Sequence, residues 1–199
     1  MSFILEPQTG KSIHLLRGQA YNSGLIMRFR SGGTADRNAL ALARLRIAVG
    51  CLFLIFGQYK VFGTQFTLHG GFLWWINQFL QNGSAYPFMV PVLQRIVLPH
   101  ATAVAFLVAY GELATGLALV LGIWVRAASA FGLVYMISLL LSSNYPGAHA
   151  PVWQYFGASL DHSVLALCFF TFIGSCSDKV LSIKKYVRGK RRATDLSDD

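Results

Sequence analysis

The chain has 199 residues, of which 54% are hydrophobic and only 13% are charged. A soluble domain carries about 25% charged residues, so this composition excludes an ordinary water-soluble fold and favours a small integral membrane protein. A formal net charge of +9 would suit a nucleic-acid partner, but the basic residues cluster near the two ends of the chain. They form no basic–aromatic binding module, so we expect no nucleic-acid partner.

Residues 1–38 form an N-terminal segment of mixed composition, rich in glycine and serine, that is interrupted by Lys11, Arg17, Arg28 and Arg30. This segment lacks the continuous apolar stretch of a secretory signal peptide. We therefore expect a mobile cytoplasmic segment, in which Met27 offers an alternative start to Met1.

The first predicted span runs from Ala39 to Phe62, with Arg44 and Arg46 near its start and Lys60 near its end. Long cationic side chains at such positions can reach the membrane surface. Two residues turn a helix by about 200°, so Arg44 and Arg46 point to nearly opposite faces. Only one of them can face the centre of a bundle, and we favour Arg46.

The next segment, Gly63–Arg95, is dense in aromatic residues that alternate with glycines and side-chain amides. Its aromatic residues are Phe66, Phe72, Trp74, Trp75, Phe79, Tyr86 and Phe88. Aromatic residues are typical of the membrane–water interface, and Phe72–Leu80 has helical spacing, so we expect a short interfacial helix. The segment is either a lid packed on the bundle or one wall of a ligand pocket open to the outer interface.

The second predicted span, Val97–Leu121, carries Glu112 as its single formal charge. An ionisable residue at membrane depth is costly and marks a partner, an ion or a ligand. Glu112 lies about 13 Å from the cytoplasmic end of the span, which makes Arg46 and Arg126 candidate partners. A purely structural ion pair is the alternative to a functional role. Small residues of this span, such as Gly111 and Gly116, permit close helix contact.

A turn at Gly122 leads into the third span, which begins at Arg126 and ends near Leu141. After an uncharged loop, a short fourth span starts at Leu160 with Asp161 and His162 and extends to Cys176. The predicted fold is thus all-α, a four-helix membrane domain over residues 39–176, with an aromatic segment between its first two helices. Residues 177–199 form a basic and then acidic tail.

Basic residues beside the first and last spans predict that both termini are cytoplasmic. The two long loops, which are nearly free of lysine and arginine, then lie outside. We expect a multi-pass protein of a bacterial-type inner (plasma) membrane, with the lipid bilayer as its surroundings.

Polar residues near the outer ends of the spans suggest a quinone site. Lys60, His100, Asp161 and His162 fall in this layer, and quinone carbonyls accept hydrogen bonds from such donors while carboxylates and imidazoles relay protons. The alternative is an ion pair between Lys60 and Asp161 that joins the first and fourth spans. No HExxH, CxxCH, GxGxxG or Walker A motif occurs, so neither a metal nor a nucleotide is predicted.

The first span reads LARLRIAVGCLFLIFGQYKVFG, and the second and third read LPHATAVAFLVAYGELATGLALVLGIWVRAAS. Over about Ala39–Ser175 the chain resembles the DoxX/DoxD family of small four-helix membrane proteins. The NYPG stretch and Asp161 fit its DoxD-like branch. The matching residues of the first three spans are Arg46, Gly57, Lys60, Gly111, Glu112, Gly116, Gly122 and Arg126.

The resemblance implies a membrane subunit of a quinone-linked redox complex, possible quinone-reducing activity and a second redox subunit. DoxD-type members form part of thiosulfate:quinone oxidoreductase. We expect Glu112 and Asp161 to be catalytic. We expect Arg46 and Arg126 to be the cations of the structural ion pair with Glu112. The expected quinone ligands are Lys60, His100 and His162. The alternatives are a non-catalytic scaffold that anchors a soluble oxidoreductase and a small-solute or lipid carrier, although no inverted repeat is visible.

Overall fold

A computed structural model describes residues 37–157, 160–175 and 180–183, and within these residues it contains helices and no strand. From Ala39 onward, the described residues belong to one compact unit. The expected mobile N-terminal segment lies outside the described residues except for Arg37 and Asn38. The expected tail, 177–199, lies outside them except for residues 180–183.

The predicted all-helical membrane fold is confirmed. Three helices are long and apolar enough to cross a bilayer, namely α1 (Arg37–Phe62), α3 (Val90–Leu121) and α4 (Val125–Ser143). Helix α5 (Asp161–Gly174) is apolar but has only 14 residues. It is about 21 Å long, less than the hydrocarbon thickness of about 30 Å, so the expected count of four spans is not confirmed.

Helix α2 (Gly71–Gln81) lies between α1 and α3 and coincides with the short helix predicted from the aromatic spacing. Gly70 and Gly83 flank it with φ angles of +79° and +63°, a region that favours glycine. Its two buried residues pack into an apolar cluster with the start of α3. The buried members of this cluster are Phe72, Ile76, Ala85, Leu93 and Ala105.

Helix α3 starts at Val90, earlier than the predicted start at Val97. Its first part is irregular, because Leu93–Val97 is a π-helical turn and Leu98–His100 is a 3₁₀ turn. Pro99 lies in the 3₁₀ turn and has no backbone N–H, which accounts for a local change in the hydrogen-bond pattern.

Glycines bring the backbones of α1 and α3 into direct contact. A Cβ atom on Gly57 would lie 2.7 Å from the backbone nitrogen of Leu113, and one on Gly116 would lie 2.8 Å from that of Leu54. Such distances are possible only without a side chain, as in small-residue contacts between membrane helices. The contact fixes the second half of α1 beside the part of α3 that carries Glu112.

Aromatic rings join α5 to α1 and α4. The Phe53 and Phe169 ring centroids are 5.0 Å apart in an edge-to-face arrangement. The Phe169 ring lies against Gly132, where it occupies the space that a side chain would need. Phe169 and Phe172 are fully buried and belong to the main apolar core.

Gly122, with a φ angle of +70°, ends α3 and forms the predicted turn into α4. Here Arg46 is fully buried and its Nη2 donates a 2.8 Å hydrogen bond to the carbonyl oxygen of Leu181. Ser182 Oγ donates to the carbonyl oxygen of Gly122 at 2.9 Å. We call Arg46, Gly122, Leu181 and Ser182 the Arg46 cluster.

Tyrosines connect the two loops at the opposite end of the bundle. The Tyr86 N–H donates to the Leu141 carbonyl at 2.9 Å, and the Tyr145 N–H donates to that of Ser84 at 2.8 Å. The Tyr86 hydroxyl donates to the Tyr155 carbonyl at 2.8 Å. Burial raises the pKa of Tyr86, and the phenol groups of Tyr155 and Tyr145 raise it further.

Candidate functional site

Three spanning helices meet at Glu112. Its Oε1 atom accepts a hydrogen bond from Lys60 Nζ of α1 at 2.5 Å and another from the Tyr135 hydroxyl of α4 at 2.5 Å. Lys60 Nζ also donates to the Tyr135 hydroxyl at 3.3 Å. Only 6% of the Glu112 side chain is exposed, against 23% for Lys60. We call these residues the Lys60–Glu112–Tyr135 triad.

Two glycines account for this convergence. Gly57 allows α1 to touch α3, and Lys60 lies one turn further along the same face of α1. Gly111, next to Glu112, leaves the space that the Phe131 ring of α4 occupies. Tyr135 lies one turn after Phe131 on the same face, so its hydroxyl reaches the Glu112 carboxyl group.

The triad leaves hydrogen-bonding capacity unused. Glu112 Oε2 is buried and has no hydrogen-bond partner among the described residues. A lysine ammonium has three N–H donors, and the bonds to Glu112 and Tyr135 use two of those of Lys60. Lys60 Nζ also lies 5.1 Å from the Phe66 ring centroid, a cation–π distance. One N–H of Lys60 is therefore available to a ligand.

A cavity of about 720 Å³ borders the triad at Lys60 and Tyr135. Its walls come from the aromatic segment, α3 and α4, and they are mainly apolar. The aromatic segment contributes Phe66, Phe72, Trp75, Ile76 and Phe79, and α3 contributes Leu93, Val104 and Val108 among others. A cavity with apolar walls and a few polar groups at one place is the usual form of a small-molecule site.

Few other polar groups of the wall are free to donate. Ser138, Ser142 and Ser143 line the cavity, but each hydroxyl donates to the backbone carbonyl four residues earlier in α4. His162 also lines the cavity. The groups that can donate to a ligand are therefore Lys60, the side-chain amide of Asn144 and His162.

Asp161 and His162 pair with each other. The His162 backbone N–H donates to Asp161 Oδ1 at 2.8 Å. His162 Nδ1 lies 3.2 Å from the same oxygen, within ion-pair distance but without hydrogen-bond geometry. The Asp161 side chain is 56% exposed. The alternative pair of Lys60 with Asp161 differs from the structure, in which Lys60 bonds to Glu112.

His100 does not join the other predicted quinone ligands. It is exposed at the start of the regular part of α3, its Nδ1 lies 3.0 Å from the carbonyl oxygen of Ile96, and it does not line the cavity. The irregular turns around Pro99 decide where this side chain lies, and its sequence position alone does not reveal that.

The two predicted arginine partners of Glu112 lie elsewhere. Arg46 bonds to Leu181 about four turns from Lys60 along α1. Arg126 is exposed at the start of α4 and makes no ion pair with a described residue. The expected Arg46–Glu112 pair is thus replaced by a Lys60–Glu112 pair, because the long lysine side chain reaches inward from near the end of α1.

Sequence reasoning missed Tyr135. It is the single tyrosine of α4, within an otherwise apolar stretch, and that hydroxyl at mid-span was the available signal. Its partner could not be deduced, because the rotation of α4 against α3 depends on the packing of Phe131 on Gly111.

The chain matches a family of known proteins. The DoxX family model matches residues 41–143, which include Lys60, Glu112 and Tyr135. No curated protein and no solved structure is similar enough to count as a match. Because the family match covers more than half of the chain, the chain belongs to the DoxX family.

Proposed function

We propose that this DoxX-family membrane protein is a subunit of a quinone-linked redox complex, of the DoxD-like thiosulfate:quinone oxidoreductase type, and that its cavity holds the quinone. The observation that carries the proposal is the apolar cavity that ends on Lys60 and Tyr135. Its volume falls within the range of about 300–1,000 Å³ that is usual for ligand sites.

The residues present fit this ligand. The free N–H of Lys60 can donate to a ring carbonyl, and the aromatic wall can pack on the ring and on the first part of an isoprenoid tail. Glu112 and Tyr135 hold Lys60 in place through hydrogen bonds of 2.5 and 3.3 Å. A bound quinone would supply the acceptor for two electrons and two protons, and the second subunit would supply the electrons.

Two groups of side chains suited to proton transfer border the cavity. Tyr135 and Lys60 contact the carboxyl group of Glu112, whose Oε2 atom has no described hydrogen-bond partner. The largely exposed Asp161 contacts His162, which lines the cavity. Asp161 and His162 can therefore carry protons from the surface to the ligand.

The orientation is part of the same proposal. We place both termini, the Arg46 cluster and Arg126 on the cytoplasmic side of the inner membrane, in agreement with the distribution of basic residues. The tyrosine-linked loops then face the outer interface, on the side of the bundle where Ser143 and Asn144 line the cavity.

The test is to purify the protein in mild detergent and measure the quinone that remains bound to each folded variant. Val108→Trp should fill the cavity without changing the triad, and Lys60→Met with Glu112→Gln should remove both charges together. His100→Ala is the matched control, because His100 lies outside the cavity. We expect bound quinone in wild type and the control, and at least a tenfold loss in the other two.

Equal quinone content in all folded variants would locate any quinone outside the cavity. A well-folded wild type with no quinone, and no binding of added short-chain quinone, would contradict the proposal. The non-catalytic scaffold that anchors a soluble oxidoreductase would then be the better account, and a search for that partner would follow.

A further inference from the structure

The ionisable side chains around the cavity indicate which kind of ligand it can bind. Of the described residues that line it, Lys60 and His162 are those that can carry a positive charge. Lys60 lies 2.5 Å from the Glu112 carboxyl group, and His162 Nδ1 lies 3.2 Å from Asp161 Oδ1. Each potential cation is therefore already matched by an acid.

As long as Asp161 is ionised and Lys60 and Glu112 share a single titratable proton, the sum of these charges is not positive. Lys60 and Glu112 add to zero whether the shared proton belongs to the amine or to the carboxyl group. His162 and an ionised Asp161 add to zero if the imidazole is protonated, and to minus one if it is neutral. The cavity thus offers hydrogen-bond donors without a spare positive charge.

An ionised head group in a low-dielectric site needs a compensating charge, because it loses the stabilisation that water provides. An uncharged acceptor needs only a hydrogen-bond donor, and Lys60 has one N–H left for it. We infer that the cavity selects lipids with an uncharged, hydrogen-bond-accepting head group and rejects lipid carboxylates and small oxyanions.

This inference rests on the proposed function in one respect, that the cavity is a lipid site, and it narrows the class of ligand. Quinones, ketones and esters fall within the accepted class. An anionic electron donor such as thiosulfate falls outside it. The oxidation of such a donor then belongs to a partner subunit, and this chain receives electrons and not the donor itself.

A pair of ligands that differ only in head-group charge tests the inference. Protein in nanodiscs of uncharged lipid is loaded with tritiated methyl palmitate, and unlabelled methyl palmitate and palmitate are compared as competitors at pH 8. We expect wild type to prefer the ester by at least about tenfold, the equivalent of about 1.4 kcal/mol. The ester-to-acid ratio is then compared between variants, so that differences in bilayer partitioning cancel.

Three variants give different expectations for this ratio. Glu112→Gln leaves the charge of Lys60 uncompensated, so the ratio should fall at least about tenfold. Lys60→Gln leaves Glu112 alone, so the ratio should rise. Tyr135→Phe removes a hydroxyl from the same site without changing the charge, so it should keep the wild-type ratio even if both ligands bind more weakly.

A wild-type preference for palmitate, an absence of specific ester binding to folded wild type, or a ratio that Glu112→Gln leaves unchanged would each overturn the inference. If Glu112→Gln does not fold, the ester-to-acid ratios of wild type and Lys60→Gln are used to test the inference. A short-chain quinone serves as a third competitor. Selective ester binding without competition by quinone would support the inferred preference for uncharged head groups and contradict the proposed function. Competition by quinone together with equal binding of ester and palmitate would support the proposed function and contradict the inferred preference.

Discussion

Helix α1 carries two cationic side chains into the apolar interior, and their surroundings differ. Arg46 is fully buried in the Arg46 cluster and donates to the backbone carbonyl of Leu181. Lys60, about four turns away on the same helix, pairs with the Glu112 carboxyl group and borders the cavity. Arg46 does not line the cavity, whereas Lys60 does.

The comparison shows that a buried charge is not by itself evidence of a functional site. Both residues are unusual for an apolar helix, and both are stabilised by hydrogen bonds. What distinguishes Lys60 is a neighbouring carboxyl oxygen without a described hydrogen-bond partner and the open volume of the cavity beside it. We therefore propose that Arg46 contributes to stability and that Lys60 contributes to ligand binding.

The largest effect should come from Arg46→Ala. The change removes a charged hydrogen bond and the packing of a side chain with no exposed surface, which should lower the free energy of unfolding by about 4 kcal/mol. Denaturant titration in detergent measures this, and Arg44→Ala is the control because Arg44 is exposed near the same end of α1. Ligand affinity per folded molecule should stay unchanged, and a selective loss of ligand binding would contradict the assignment.

Lys60→Met should destabilise by about 3 kcal/mol, because it leaves the Glu112 carboxylate buried without its cation. Adding Glu112→Gln should restore a large part of that loss, since the second change removes the uncompensated charge. Unfolding titrations of the two single variants and the double variant give the coupling energy. Purely additive effects would show that the two side chains do not act as a pair.

Gly57→Ala should cost about 2 kcal/mol, because the new Cβ atom would lie 2.7 Å from the backbone nitrogen of Leu113 and force α1 away from α3. It should also weaken ligand binding, since Lys60 would move with α1. Gly174→Ala is the matched control, as no atom lies within 4 Å of its added Cβ. Thermal unfolding of both variants checks the difference, and equal melting temperatures would contradict the close contact.

The smallest effect is expected from Tyr135→Phe, which removes one hydrogen bond to Glu112 and should cost about 1 kcal/mol. Ligand affinity should fall a few-fold, because Lys60 loses one of the groups that hold it. Tyr110→Phe, on the exposed face of α3, serves as the control. An equal response of the two variants in the unfolding and binding measurements would argue against a role for Tyr135 in the triad.

Much of the fold could be predicted from the sequence, because long apolar stretches and interfacial aromatic residues are local signals. Hydropathy predicted the helices that became α1, α3 and α4, and the aromatic spacing predicted α2. Glu112 also stood out at once, since a single carboxylate within an apolar span has to be compensated. The start of α3 at Val90 was not predicted, because its first turns depart from regular helical geometry.

The composition of the site was decided by the tertiary structure. Which cation meets Glu112, whether His100 joins His162, and the role of Tyr135 all depend on how each helix is rotated and shifted against its neighbours. These rotations follow from close contacts at Gly57, Gly111 and Gly116. A sequence gives the position of a residue along one helix, but the partner of a buried charge depends on distances between helices, and packing alone sets those.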